Sequence, residues 1–262
     1  MSRIALMAAL SSLAIATQAA ADSGLRADLE HIARERIYFG HQSVGANLID
    51  GLRELAGQEG VALRIAETPQ ASAVGPATFG HTFVAENGEP LKKLESFRAA
   101  LGAASVDIAL LKFCYVDISA DTDVKALFER YQATITELRA KNPPTTFIHV
   151  TLPLTEVQTG PKALAKRMLG RAPYGTIENV RREEYNELLR KAYAGREPIF
   201  DLARIESTAP DGTLVKVSWQ GTVAPAMAPA YTDDGGHLNA MGRLRAAREL
   251  VAVLAAAKTP QP

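Results

Sequence analysis

The chain has 262 residues, 47% of them apolar, and its 29 Lys plus Arg are balanced by 29 Asp plus Glu. That length and apolar share suit a substantial packed core, and basic runs broken by acids, as in Arg181-Arg182-Glu183-Glu184, leave no global footprint for nucleic acid or an anionic membrane. Cys114 is the only cysteine, so no internal disulfide can form and the fold must hold by packing.

Arg3, the mostly apolar stretch 4–15 and the small-residue run Ala19-Ala20-Ala21 read as an export leader. Cleavage after Ala21 is the expectation, with residues 22–262 forming one domain in the periplasm or outside the cell. The alternative is an N-terminal anchor, although the apolar stretch is shorter than the roughly 20 residues that span a bilayer. No later segment is apolar enough to cross, so no stable membrane association is expected once the leader is gone. A monomer is expected.

After a short helix at 25–34, residues 36–39 form a β-prone run that ends at Gly40. Helical spacing returns over 44–55, with Leu48, Leu52 and Leu55 on one side. The alternation continues with strand at 61–66, helix at 90–101, strand at 106–113, helix at 124–140 and strand at 146–151. Helix near 180–194, a short strand at 198–201 and a last helix at 240–257 complete it. Strands separated by helices predict an α/β fold, a doubly wound and mostly parallel sheet of about five strands with helices on both faces. The continuous apolar runs 108–111 and 147–150 belong at its centre. Two long connections, 68–89 and 152–179, read as the substrate rim, and 207–233 as a hairpin-like excursion. Ligands of such sheets bind beyond the carboxyl ends of the strands.

Two motifs fall there. In Gly40-His41-Gln42-Ser43-Val44-Gly45, a serine stands where a strand hands over to a helix, beside unpaired backbone N–H groups. Ser43 fits a nucleophile, and it fits a plain helix N-cap equally. In Asp233-Asp234-Gly235-Gly236-His237-Leu238-Asn239, an Asp three residues before a His can fix the imidazole tautomer and stabilise an imidazolium. The same run also fits a surface turn in which Asp234 or Asn239 caps the last helix.

The order of these blocks resembles the SGNH/GDSL hydrolase superfamily from Ile37 to about Leu254, most closely at Asp234-Gly235-Gly236-His237-Leu238-Asn239. The resemblance implies a flavodoxin-like strand order, with Ser43 as nucleophile, His237 as general base and then acid, and Asp234 orienting His237. Two departures stand out: the usual Gly-Asp-Ser becomes Gly40-His41-Gln42-Ser43, and the third block, Lys112 to Asp117, lacks its asparagine. The oxyanion hole is then expected from the N–H groups of Ser43 and Gly88, with Asn87 or Tyr115 in place of the missing side chain.

His41 and His81 are candidate substrate contacts, His149 a core histidine and His31 a surface residue. With no His-Glu-x-x-His helix, dense acidic loop or glycine-rich phosphate cradle, a reaction without metal or cofactor is expected. The resemblance implies a small-molecule or glycan ester as partner and an exported esterase acting on carboxylic esters, acetyl esters on carbohydrate among the candidates. Acyl transfer to a glycan hydroxyl and a glycan-binding protein that has lost catalysis are the alternatives.

Overall fold

A computed structural model describes residues 24–257; the expected leader lies outside them. A first helix, α1, covers 24–32. It is followed by β1 (Arg36–His41), α2 (Ser43–Glu59), β2 (Ile65–Glu67), β3 (Thr78–Phe83), α3 (Pro90–Leu101), β4 (Ile108–Leu111) and α4 (Val124–Lys141). Then come β5 (Thr146–Val150), α5 (Gly160–Met168), α6 (Thr176–Tyr193), β6 (Ile199–Phe200), α7 (Leu202–Ser207), the pair β7 (Lys216–Trp219) and β8 (Thr222–Pro225), and α8 (Ala240–Ala256).

Six strands pair in the order β2-β3-β1-β4-β5-β6, all parallel. The two-residue period of the strands divides their side chains between two cores. Ile37, Phe39, Ile108, Leu110, Ile148 and Val150 join α1, α2, α7 and α8 on one side. Tyr38, Ala109, Leu111 and Phe147 join α3, α4 and α6 on the other. The doubly wound sheet is as expected, with one strand more. β3 emerges from the segment read as rim loop and takes the place beside β1. Its sequence Thr-Phe-Gly-His-Thr-Phe buries Thr78, His81 and Thr82, so it carries no apolar run to reveal it.

Local signals set the helix ends. Pro90 starts α3, where its missing N–H costs nothing. Asp123 caps α4 by accepting from the Ala126 N–H, and Asn239 caps α8 by accepting from the Gly242 N–H. The excursion at 207–233 holds the antiparallel β7–β8 hairpin.

The chain winds from β1 toward β2 and β3 on one side and β4 on the other, so the carboxyl end of β1 is a switch point of the sheet. α2 leaves from that end and packs against α8. They approach tightly at Gly51, where a Cβ would lie 2.6 Å from the Arg243 carbonyl oxygen and 2.7 Å from the Ala247 Cβ. Arg243 Nη2 donates to Glu54 Oε2 at 2.9 Å across the same contact. Two helices held this tightly bring the start of α2 to the loop that precedes α8.

Candidate active site

Ser43 is the first residue of α2, and the N-cap is Gln42, in extended conformation with no side-chain cap bond. The plain-cap reading of Ser43 therefore fails: its hydroxyl turns to His237, with Oγ to Nε2 at 3.0 Å. His237 Nδ1 lies 2.6 Å from Asp234 Oδ2. Asp234 Oδ1 accepts from the N–H groups of Gly236 at 2.9 Å and His237 at 2.8 Å. Asp234 thus braces its own loop with one oxygen and meets the imidazole with the other. The His237 N–H bond, with the imidazole and the Gly236 N–H, holds the Asp234 carboxyl well below the usual carboxylate range. An ionised Asp234 accepts from Nδ1–H, which leaves Nε2 bare toward the serine hydroxyl. Asn47 Oδ1 adds a clamp by accepting from the Leu238 N–H at 3.2 Å.

The turn before Ser43 is fixed from below. His41 is fully buried, so it is placed as a support and not as the substrate contact its position suggested. Its Nδ1 faces the Gln42 carbonyl at 2.9 Å, and its Nε2 faces His81 Nδ1 at 3.0 Å. A carbonyl can only accept, so His41 donates through Nδ1, and a neutral His41 then accepts at Nε2 from His81 Nδ1–H. Burial pushes the His41 imidazole down to about 3 and lowers His81 as well. His81 sits inside β3 instead of on a rim loop and is likewise buried. Gly45 completes the turn, since a Cβ there would lie 2.3 Å from the His41 Cβ. Gln42 Nε2 reaches the carbonyls of Val84 and Ala85, tying the 84–88 loop to the turn before Ser43.

The expected oxyanion donors separate on geometry. The Gly88 N–H donates to Asp117 Oδ1 at 2.8 Å, so it is not free for a substrate oxygen. Asp117 is buried and also takes the buried Lys93 ammonium at 2.7 Å and the Cys114 N–H at 2.6 Å. The same Lys93 Nζ donates to Asn87 Oδ1 at 2.8 Å. That bond fixes the amide, and the exposed Asn87 Nδ2 has no partner among the described residues. The Ser43 N–H, in the first turn of a 17-residue helix, is also without a partner among the described residues.

Tyr115 meets His237 in a T-shaped ring contact, with centroids 5.7 Å apart and planes 73° apart. A Cβ on Gly236 would lie 2.8 Å from its hydroxyl. Burial raises the Tyr115 phenol to about 12, so it stays a donor. Sequence reading missed Arg182, which is buried on α6 and donates to the Tyr115 carbonyl at 2.9 Å and to Thr155 and Asn179. Its place inside a run of charges gave no signal of burial. A cavity of about 320 Å³ opens beside Asp234, lined by Glu156, Val157, Gln158, Tyr174 and Gly235 among others. Among the described residues, no group of three or more His, Cys, Asp or Glu is arranged to hold a metal ion.

No family model matches the chain, and no curated protein matches it in sequence. Solved structures do match. A GDSL-like lipase from Bacteroides thetaiotaomicron is 11% identical with a TM-score of 0.53, over 84% of this chain and 88% of that one. The lipase/acylhydrolase from Enterococcus faecalis is 15% identical with a TM-score of 0.52, over 86% of this chain and 97% of that one. At such identities the likeness is one of fold.

Proposed function

We propose that this chain, whose fold is that of the SGNH/GDSL hydrolases, is a serine esterase that cleaves carboxylic esters through an acyl-enzyme on Ser43. The observation that carries the proposal is the unbroken relay from Ser43 Oγ to His237 Nε2 at 3.0 Å and from His237 Nδ1 to Asp234 Oδ2 at 2.6 Å. As the Ser43 oxygen attacks the acyl carbon, Nε2 takes its proton and Asp234 stabilises the imidazolium. The proton then passes to the leaving alkoxide, and a water activated by the same nitrogen releases the acid.

The tetrahedral oxyanion is received by the Ser43 N–H and the Asn87 amide, donors that have no partner among the described residues. Tyr115 packs against the His237 ring. The cavity beside Asp234 has room for a short acyl or alcohol group, which favours small esters, including acetyl groups on carbohydrate. The leader composition of residues 1–21 supports export, and N-terminal sequencing of the secreted protein tests it.

Turnover of nitrophenyl acetate by Ser43→Ala tests the reaction. The proposal expects activity to fall to background with the thermal melt preserved; full activity in the variant removes Ser43 as nucleophile. Transfer to a sugar hydroxyl instead of water would appear as an acylated product when a glycan acceptor is added.

A further inference from the structure

The excursion between β5 and α6 carries a helix turned inside out. α5 buries only Ala163. Leu164 is 61% exposed, Met168 80% and Leu169, at its C-cap, 73%, while Pro161 and Ala165 are exposed too. With about 100° between successive residues, Pro161, Leu164, Ala165 and Met168 share the side opposite Ala163. A helix resting on a water-soluble body ordinarily turns its apolar side inward.

Charge marks the same segment. Between Glu156 and Glu178 stand Lys162, Lys166, Arg167 and Arg171 with no acidic residue, a local run that the balanced total conceals. The base of the segment is fastened to the catalytic loop. The Glu156 N–H donates to the Gly235 carbonyl at 2.8 Å, the Gln158 N–H to the Tyr174 carbonyl at 3.0 Å, and Lys166 Nζ to Gln158 Oε1 at 2.8 Å. The apolar side is therefore held outward, on a part of the chain whose base is hydrogen-bonded to the Asp234 loop.

We infer that α5 is a docking helix for an anionic lipid surface. Leu164, Met168 and Leu169 enter the boundary between headgroups and acyl chains, and the exposed Lys162 and Arg171 meet lipid phosphates. A second copy of the chain is the poorer occupant, because a twofold contact would set the same cations against themselves. A nine-residue helix is too short to span, so the association is peripheral and reversible. No helix among the described residues is long and apolar enough to cross a membrane.

Co-sedimentation of the Ser43→Ala protein with vesicles reads binding independently of hydrolysis. Vesicles of phosphatidylcholine mixed with phosphatidylglycerol should bind it, less so as salt rises, and vesicles of phosphatidylcholine alone should bind it far more weakly. Each cation near such a surface gives roughly a fivefold gain in partitioning, so K162Q/R171Q should lose about 25-fold. The variant L164S/M168S/L169S should lose binding with an unchanged melt, since these side chains are exposed. Absence of binding to the mixed vesicles, or equal binding to both kinds, overturns the inference. So does self-association in sedimentation velocity that the serine variant abolishes while vesicle binding is unaffected, which would assign the face to a second copy.

Discussion

Asp234→Asn separates the shape of the relay from its chemistry. The amide oxygen can replace Oδ1 and keep the N–H groups of Gly236 and His237, now 2.9 and 2.8 Å away. The opposite flip would set an NH₂ group against two N–H donors, so this orientation is imposed by the loop. The amide nitrogen then occupies the Oδ2 position, 2.6 Å from His237 Nδ1. Because NH₂ can only donate, Nδ1 must accept and the ring proton moves to Nε2. A protonated Nε2 facing Ser43 Oγ at 3.0 Å cannot remove its proton. The same tautomer trap in serine proteases lowers kcat about 10⁴-fold, equivalent to roughly 5 kcal/mol of barrier. The expected result is a loss of that order in nitrophenyl acetate turnover, with KM nearly unchanged and the melting temperature within a few degrees. A kcat within tenfold of the parent would refute the tautomer reasoning and the role given to Asp234.

Asn87→Ala should cost on the order of 100- to 1,000-fold in kcat, as loss of one oxyanion donor does, whereas Tyr115→Phe should stay within about tenfold; the reverse ranking would move the donor to Tyr115. Gly51→Ala drives a methyl against the Arg243 carbonyl and Ala247, and urea unfolding should show a loss of about 1–3 kcal/mol; an unchanged midpoint would mean that the α2–α8 contact yields easily. Stability should also fall with acid. An unfolded histidine binds a proton near pH 6.5, but His41 resists until about 3, so stability is full above 6.5 and declines below it by up to about 1.4 kcal/mol per pH unit. His81 and His149 are shifted in the same direction. A denaturation midpoint that stays flat from pH 7 to pH 5 would contradict neutral burial of the pair.

Strands and helices with strong periodicity were legible from the residues: α3 spans Pro90–Leu101, and the last helix ends within a residue of its expected bound. β3 was hidden because Phe79 is its lone apolar core residue, and its other buried side chains are Thr and His, of which His81 is partnered by His41 from the neighbouring strand. α5 was hidden for another reason: it is only nine residues long, and Gly160, Pro161, Gly170 and Pro173 around it read as loop. At the site, the Asp234 loop was readable because its partners lie within three residues. The oxyanion side was not, because it depends on long-range bonds. Lys93 and Asp117 decide which of Asn87 and Gly88 keeps a free donor, and neither bond leaves a spacing in the sequence.

The central claim is that Ser43 is an activated nucleophile. Treatment of the full-length protein with a fluorophosphonate, followed by intact mass and peptide mapping, reads that directly. One adduct on Ser43, abolished in His237→Ala, is the predicted result; an unmodified Ser43 in folded protein, or modification that is indifferent to His237, would contradict it.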